Sequence, residues 1–219
     1  MTTPETSTHA TGAATVRIAT DIALIALFDP ALLKEHVKEP RRWWEKNPFG
    51  TPERADGRLA LWPLGGRGGL YRVRLGTALE ESEAPYDRGT SPPAPLVVSA
   101  EGQVFLGPAE RLPGDGYGDR YSAIPDKGGL LELAPGTYSI TAHALDWRPE
   151  ARFWDEENEP TPDAPPDFVL VYEQVDALPP APPAPITPLL QLLPQKKARG
   201  GERVVTPMVR PRAPIVLED

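Results

Sequence analysis

A long alternating stretch, residues 130–147, constrains the fold more than any other part of this sequence. Its second half places Tyr138, Ile140 and Ala142 on one side and mostly polar residues on the other. A period of two that is rich in β-branched and aromatic residues is typical of a half-buried strand. The Pro-Gly pair at 135–136 is typical of a turn between two strands. The stretch therefore predicts a hairpin at the centre of a β-rich domain.

Prolines exclude long helices from most of the chain. The sequence has 29 of them, more than twice the usual share of about 5%, and each removes an amide donor and clashes with the preceding helical turn. Between the proline-rich segments, short alternating or apolar runs predict strands within residues 16–28, 58–63, 69–75, 96–100, 103–107 and 167–175. Asp29 and Pro30 are typical of a helix start, which predicts one short helix over residues 31–38.

Together these patterns predict a mainly β protein. We expect a single antiparallel β-sandwich or open barrel over residues 16–176, with about eight or nine strands and one short helix. Residues 1–15 are expected to form a disordered N-terminal arm. Residues 177–219 are expected to form a proline-rich basic tail that is either disordered or docked on a partner. An apolar patch in this tail is a candidate partner-binding motif: Leu189, Leu190, Leu192 and Leu193.

The charge of the chain is unevenly distributed. Its formal net charge is −8, and residues 177–219, with six basic and three acidic side chains, contribute +3, which leaves −11 for residues 1–176. An acidic body argues against nucleic-acid binding, because contacts to phosphates need clustered Lys and Arg. Two acidic loops, around residues 80–87 and 155–167, are instead expected to steer a basic protein partner. In the second loop, Asp155, Glu156 and Glu157 are candidate contact residues.

Cysteine usage and the N-terminus indicate the compartment. The sequence has no cysteine, which excludes disulfides, a cysteine nucleophile and thiolate metal sites. The N-terminus lacks the basic and apolar regions of a signal peptide, and the longest apolar run is too short to span a bilayer. We therefore expect a soluble, cytoplasmic protein that does not insert into a membrane.

Two adjacent tryptophans, Trp43 and Trp44, are a second candidate contact site. Both side chains cannot point inward from one strand, and tryptophan is common at binding hot spots. Large aromatic residues are nevertheless more often part of a core. The pair therefore has two interpretations, an interface or a piece of the core.

The sequence contains no recognisable motif for catalysis or cofactor binding. The glycine cluster at 65–69 lacks the Lys-Ser/Thr ending of a phosphate-binding loop and is expected to be a hairpin turn. Asp115 and Asp119 lie in a Gly/Asp-rich loop without the spacing of a calcium loop, and the three histidines lack ligand spacing. We expect no cofactor and no metal site. The carboxylates of residues 155–159 are the best candidates for acid/base hydrolysis, although such runs are usually solvated.

Three motifs stand out beside these patterns. They are ATDxAxxxxFDP at residues 19–30, the tryptophan pair that follows it, and LxPGxY at residues 133–138 with a closing FVLVY at 168–172. In combination they resemble a family of uncharacterised bacterial proteins that have no assigned activity. The resemblance covers residues 16–176 and its motifs are structural, so it implies a domain of this size and assigns no site residues.

The sequence favours a non-enzymatic protein-binding module. In its sharpest form, this is an immunity-type protein that neutralises a basic partner protein. An alternative is an accessory or structural subunit of a bacterial assembly, docked through its C-terminal tail. A carboxylate-dependent hydrolase is the third hypothesis.

Overall fold

The structure, a computed structural model, describes residues 14–36, 49, 51–66, 68–113, 121 and 124–194. These residues are mainly β, and their ten strands form two sheets. The strands are β1 (Ala14–Thr20), β2 (Leu24–Phe28), β3 (Leu59–Pro63), β4 (Gly69–Gly76), β5 (Asp87–Thr90), β6 (Ala94–Val98), β7 (Gln103–Pro108), β8 (Gly129–Glu132), β9 (Gly136–Leu145) and β10 (Phe168–Gln174). The helices are α1 (Pro30–His36) and α2 (Pro52–Ala55), and single 3₁₀ turns are formed by Ala84–Tyr86, Ala109–Arg111, Ala151–Phe153 and Leu189–Gln191.

The two sheets differ in size and topology. The six-stranded large sheet has the order β1-β4-β10-β9-β5, and β6 also pairs with β9. Its β4 and β10 run parallel, whereas its other neighbours are antiparallel. The four-stranded small sheet is antiparallel, in the order β3-β2-β7-β8.

The inner faces of both sheets meet in one apolar core. Ile140 and Phe168 of the large sheet and Trp62 and Leu106 of the small sheet are each at most 1% exposed and belong to one packed cluster. Alternate residues of β9 are buried in this cluster, as its period of two predicts. The prediction of a mainly β sandwich with few helices is confirmed.

The connections differ from the predicted hairpins. β8 and β9, on either side of the Pro-Gly pair at 135–136, belong to different sheets and do not pair with each other. The same is true of β3 and β4 around the glycine cluster and of β6 and β7 around Gly102. The hairpins predicted at the Pro-Gly pair and at the glycine cluster are wrong, because each of these turns carries the chain from one sheet to the other.

A fourth crossing divides the apolar run at residues 16–28 into two strands. β1 lies in the large sheet and β2 in the small sheet. Between them, the Glu110 carboxylate accepts hydrogen bonds from the Thr20 hydroxyl at 3.0 Å and from the amides of Asp21 and Ile22 at 2.6 and 3.1 Å. Ala23 completes the turn in the left-handed region at φ 56°. A carboxylate from a distant segment therefore holds this corner of the sandwich.

The outer face of the small sheet is covered by the predicted short helix. Asp29 begins α1 as expected, since its Oδ1 accepts hydrogen bonds from the amides of Ala31 and Leu32 at 2.9 and 3.2 Å. Its Oδ2 accepts from the Ser99 amide at 2.8 Å, which ties the helix to the end of β6. Leu33 packs with Phe28, Phe105 and other apolar side chains of this face. The sheet is therefore buried on both sides.

Candidate functional site

Two acidic loops lie together over the outer face of the large sheet. We define them as the first acidic loop, residues 79–90, and the second acidic loop, residues 146–167, and call them together the acidic face. They contain twelve Asp and Glu residues against three arginines, in a chain whose total formal charge is −8. The first loop follows β4 and contains β5, and the second connects β9 to β10. The fold thus unites the two segments that the sequence marked as acidic.

An aromatic cluster joins the two loops. The Tyr86 ring of the first loop meets the Phe153 ring of the second edge to face, at 5.7 Å between centroids. Phe153 in turn contacts Trp147 at 5.9 Å, and Trp147 lies 5.4 Å from Trp154. Arg152 donates a hydrogen bond to the Tyr86 hydroxyl, and the Asp146 amide donates to the Tyr86 carbonyl at 2.9 Å. The loops therefore form one packed unit with a small apolar core.

A buried ion pair fixes the first loop to the sheet. Arg74 of β4 is 5% exposed and Glu83 is 2% exposed. The Arg74 Nε donates to Glu83 Oε1 at 2.6 Å, and Nη2 donates to the other carboxylate oxygen. Nη2 also donates to the Ala78 carbonyl at 2.8 Å, and the Glu80 amide donates to Glu83 Oε2 at 2.7 Å. These extra bonds satisfy both buried groups, which a buried ion pair requires.

Asp167 fixes the second loop in a similar way. The Arg148 Nε donates to Asp167 Oδ1 at 2.7 Å, and the Arg72 amide donates to Oδ2 at 2.9 Å. The Arg148 guanidinium also lies over the rings of Trp147 and Trp154, at 5.4 and 5.8 Å from their centroids. Burial by itself would lower the pKa of Arg148, but the Asp167 carboxylate outweighs it and raises that pKa. The arginine therefore stays charged at the base of the loop.

The remaining carboxylates of the acidic face point outward. The exposed ones are Glu80, Glu81, Asp155, Glu156, Glu157, Glu159 and Asp163. The Asp155 Oδ1 accepts hydrogen bonds from the amides of Glu157 and Glu159, both at 2.9 Å, so this turn is ordered locally. With respect to the described residues, Glu156, Glu157 and Asp163 form no ion pair. Among the described residues, no counter-charge therefore pairs with these carboxylates.

The carboxylates of residues 155–159 do not have the surroundings of a hydrolase site. A carboxylic acid that donates a proton near neutral pH is usually kept protonated by burial. Asp155, Glu156, Glu157 and Glu159 are instead all exposed, and Asp155 is occupied by backbone amides. The geometry does not support the acid/base role considered for them.

The sequence provided no signal for a contact between His143 and Asp87. The Nδ1 of His143, on the outer side of β9, lies 3.1 Å from Asp87 Oδ2. The nearby Ser91 hydroxyl donates to the Pro92 carbonyl at 3.0 Å and accepts from the Ala142 amide at 3.0 Å. Because the serine is engaged by the backbone, it does not complete a Ser-His-Asp arrangement.

The four leucines of the predicted tail pack against the domain. We call residues 177–194 the strap. Leu189 is 0% exposed within the inner core, and Leu190, Leu192 and Leu193 pack partly buried against that core. The Leu190 amide donates to the Leu64 carbonyl at 3.1 Å. In this conformation they contact their own chain, so their binding to a partner stays a prediction.

The strap contacts the domain at Gly65 and at Arg54. Gly65 adopts φ +80°, and a Cβ added there would overlap the ring of Pro188, so the glycine leaves room for close approach. Arg54 is 4% exposed, and its Nη2 donates to the Pro182 carbonyl at 3.1 Å. Burial lowers the pKa of Arg54. The predicted glycine turn is therefore also the surface against which Pro188 of the strap packs.

The tryptophan pair and the Gly/Asp-rich loop lie outside the described residues. Trp43, Trp44, Asp115 and Asp119 do not belong to the described residues. In the part of the chain that the structure describes, no three His, Asp or Glu side chains are placed to hold a metal ion. No helix in that part has the length and apolar character needed to cross a membrane.

Comparison with protein-family models assigns the chain to one family. Residues 12–158 match a family of unknown function (DUF6386), and the protein belongs to that family. This confirms the resemblance to a family without an assigned activity. No curated protein sequence matches the chain.

Two solved structures are similar in outline. One is described as crocagin biosynthetic gene J; it is 13% identical, with a TM-score of 0.45 over 74% of this chain and 94% of its own. The other is ComJ from Bacillus subtilis, described as an inhibitor of the DNA-degrading activity of NucA. It is 10% identical, with a TM-score of 0.38 over 74% of this chain and 96% of its own.

Proposed function

We propose that the protein is a non-enzymatic binding module that captures a basic partner protein on its acidic face. In this role it resembles an immunity-type protein, which neutralises its partner by covering it. The observation that carries the proposal is the fixed presentation of exposed carboxylates by two loops. The buried Arg74–Glu83 pair attaches the first loop to the large sheet, and Asp167, which binds the Arg72 amide as well as Arg148, attaches the second.

The attachment of the loops matters because their charges repel each other. Free loops with this excess of carboxylates would move apart, since like charges at short range destabilise a compact arrangement. Arg74 holds the first loop on the large sheet, the hydrogen bond of the Arg72 amide to Asp167 holds the second, and the ring contact of Tyr86 with Phe153 joins the loops laterally. The outward carboxylates are thus pre-ordered, so a partner pays little conformational entropy to bind them.

The expected mode of recognition is electrostatic. A concentrated field of one sign raises the association rate of an oppositely charged protein by about 10 to 10³-fold, and salt removes the effect. A partner rich in Lys and Arg fits the acidic face, because these side chains form charge-assisted hydrogen bonds with carboxylates. Nucleic acid does not fit it, because phosphates carry the same sign of charge.

The test measures binding to any basic protein that a neighbouring gene encodes. The acidic-face variant carries Glu156→Gln, Glu157→Gln and Glu159→Gln, three exposed positions. We expect its association rate with the true partner to fall about tenfold or more, with a smaller change in dissociation rate. Surface plasmon resonance at low and high salt separates the two rates.

A matched variant controls for the loss of three charges in general. Glu101→Gln, Glu173→Gln and Asp176→Asn remove exposed carboxylates outside the acidic loops. We expect this variant to bind almost as fast as the native chain. Equal loss of rate in both variants, or binding that does not depend on salt, contradicts the proposal.

A further inference from the structure

The strap follows the edge strand of the small sheet. This strand, β3, is the first in the order β3-β2-β7-β8. Leu178 packs beside Gly57, which precedes β3, and Pro188 packs against Gly65, which follows it. The strap therefore runs along β3 from the start of the strand to its end.

The edge of the large sheet lies on the opposite side of the strap. β5 and β6 form this edge, and both pair with β9. Leu192 lies against β5, since a Cβ added to Gly89 would be 3.5 Å from the Leu192 Cβ. The Val97 side chain of β6 lies beside the same glycine, Gly57, as Leu178 does. The strap therefore fills a gap between two sheet edges, which we call the seam.

Little main-chain bonding holds the strap in the seam. Seven of its residues are prolines, which have no amide to donate. Two hydrogen bonds join it to the rest of the described chain: the Leu190 amide donates to the Leu64 carbonyl at 3.1 Å, and Arg54 Nη2 donates to the Pro182 carbonyl at 3.1 Å. The other attachment is apolar, above all through Leu189, which is 0% exposed. A segment attached in this way can open locally while the sheets stay paired.

The seam contains a buried cation, Arg54. Its guanidinium lies 5.4 Å from the centroid of the Phe49 ring and donates hydrogen bonds to the carbonyls of Phe49 and Pro182. Among the described residues, no carboxylate forms an ion pair with it. Burial lowers the pKa of Arg54. Because a buried arginine is usually paired with an acidic group, a carboxylate would satisfy Arg54 better than the Pro182 carbonyl does.

We propose that the seam is a binding site for a proline- and leucine-rich segment of a partner protein, which places a carboxylate on Arg54 and displaces the strap. The strap shows the chemistry that fits: an extended proline-rich backbone along β3, a proline ring on Gly65 and a leucine in the inner core. The strap has no Asp or Glu, so the carboxylate gives the incoming segment an advantage over it. This site does not rest on the function proposed above.

The consequence is that binding depends on the opening of the strap. The apparent affinity of a partner falls by the fraction of molecules whose seam is open. Since the strap is tethered to its own domain, its effective concentration is on the order of millimolar. A segment that only matches the strap is therefore excluded, whereas one with additional contacts displaces it.

The first test measures whether the strap opens without the domain. The chain has no cysteine, so Leu189→Cys introduces a single thiol. Leu170→Cys is the matched control, because Leu170 is also 0% exposed but lies in β10 of the large sheet. We expect a thiol reagent to modify the Leu189→Cys chain at least about a hundredfold faster, relative to the unfolding equilibrium of each variant. Equal relative rates would show that the strap opens only when the whole domain unfolds, and would overturn the proposal.

The second test measures the role of the carboxylate. The probes are two fluorescein-labelled peptides with the sequence of residues 177–194, one with Pro182→Asp and one with Pro182→Asn. We expect the full-length chain to bind the Pro182→Asp probe about tenfold more tightly, although its net charge of −8 repels that probe everywhere else. On an Arg54→Gln chain the two probes should bind equally. Equal affinity of both probes for the native chain, or no binding of either, overturns the proposal.

The third test locates the binding at the seam. In a Gly89→Cys, Leu192→Cys chain the two Cβ atoms are close enough for a disulfide, which needs about 3.5–4.5 Å. We expect the oxidised chain to bind the Pro182→Asp probe at least about tenfold more weakly than the same chain after reduction. Leu189→Ala, which weakens the strap and leaves the seam intact, should instead bind the probe at least about tenfold more tightly than the native chain. Binding that neither change affects overturns the proposal.

A second copy of this chain is the competing occupant, since it carries the same strap. Light scattering of the native chain over a range of concentrations distinguishes the two. We expect a monomer throughout. A concentration-dependent dimer that the oxidised disulfide prevents would show that straps are exchanged between copies, and would overturn the assignment of the seam to a partner protein.

Discussion

The acidic loops and the strap both cover the sandwich, but they are attached by opposite kinds of interaction. The loops are fixed by ion pairs, the buried pair of Arg74 with Glu83 and the partly exposed pair of Arg148 with Asp167. The strap is fixed mainly by apolar burial, with Leu189 in the inner core and Pro188 against Gly65. The difference indicates a division of tasks, since the loops position charge at the surface while the strap closes the core.

The largest expected effect concerns the ion pair under the first loop. Arg74→Ala leaves Glu83 buried without its cation, and such a loss typically costs about 3–5 kcal/mol. We expect the free energy of unfolding to fall by about 4 kcal/mol, measured by urea denaturation. The matched double variant Arg74→Met with Glu83→Leu removes both charges and should recover most of that loss. If the single and double variants are equally unstable, the loop is not held by the charge pair.

The second prediction removes the apolar anchor of the strap. Leu189→Ala leaves a cavity in the inner core, and buried Leu→Ala changes cost about 2–5 kcal/mol. We expect a loss of about 3 kcal/mol that depends little on salt, because no charge is involved. Leu193→Ala is the matched control, since Leu193 is only partly buried. Similar losses of unfolding free energy at both positions would mean that Leu189 does not anchor the strap more strongly than Leu193 does.

The third prediction tests the contact between Gly65 and Pro188 of the strap. Gly65→Ala introduces a Cβ where the backbone has φ +80° and where the Pro188 ring lies. We expect a loss of about 1–2 kcal/mol and faster proteolysis within residues 177–194. Gly66→Ala is the control, because its Cβ would meet only the flexible Leu190 Cδ1 at 3.3 Å. Unchanged cleavage in the Gly65 variant would show that close approach there is unnecessary.

The smallest effect is expected in the turn of the second acidic loop. Asp155→Ala removes the acceptor for the amides of Glu157 and Glu159. We expect faster hydrogen exchange at these amides, with global stability changed by less than about 0.5 kcal/mol, as for most surface changes. Asp155→Asn keeps an acceptor oxygen and should preserve most of the protection. Loss of amide protection in the Asp155→Asn variant would show that the charge of Asp155, and not its hydrogen bonds, stabilises the turn.

The sequence predicts the strands better than their pairing. Alternation identified β9 and the apolar run identified β10, because each strand carries its own burial pattern. The Pro-Gly pair at 135–136 and the glycines at 65–69 were correctly placed at turns. Turn residues report that the chain changes direction, but they do not report which sheet receives the next strand. The sheet assignment depends on long-range contacts that no local pattern contains.

The sequence predicts the charges of the acidic face but not the long-range contacts that assemble it. Composition identified both acidic loops, yet Tyr86 and Phe153, which join them, are far apart in the sequence. Arg72 and Arg74 alternate with apolar residues in β4, a pattern that normally indicates a solvent-exposed side, but Arg74 is 5% exposed because Glu83 covers it. His143 and Asp87 are separated by 56 positions, so their contact also had no local signal. The sequence identifies the four leucines only as an apolar patch and a candidate binding motif, whereas their contacts in this fold are with the inner core.

The position of β10 has a consequence for how the molecule is made. It lies between β4 and β9, parallel to the first and antiparallel to the second. Until a ribosome has delivered residue 174 to solution, β4 and β9 have no strand between them and the large sheet is split in two. Pairing of β4 with a strand that begins 92 positions after its own last residue, Gly76, also makes the topology non-local, which slows folding. Until β10 pairs with them, β4 and β9 therefore present open strand edges, and this closure is a step that is open to aggregation and to assistance by chaperones.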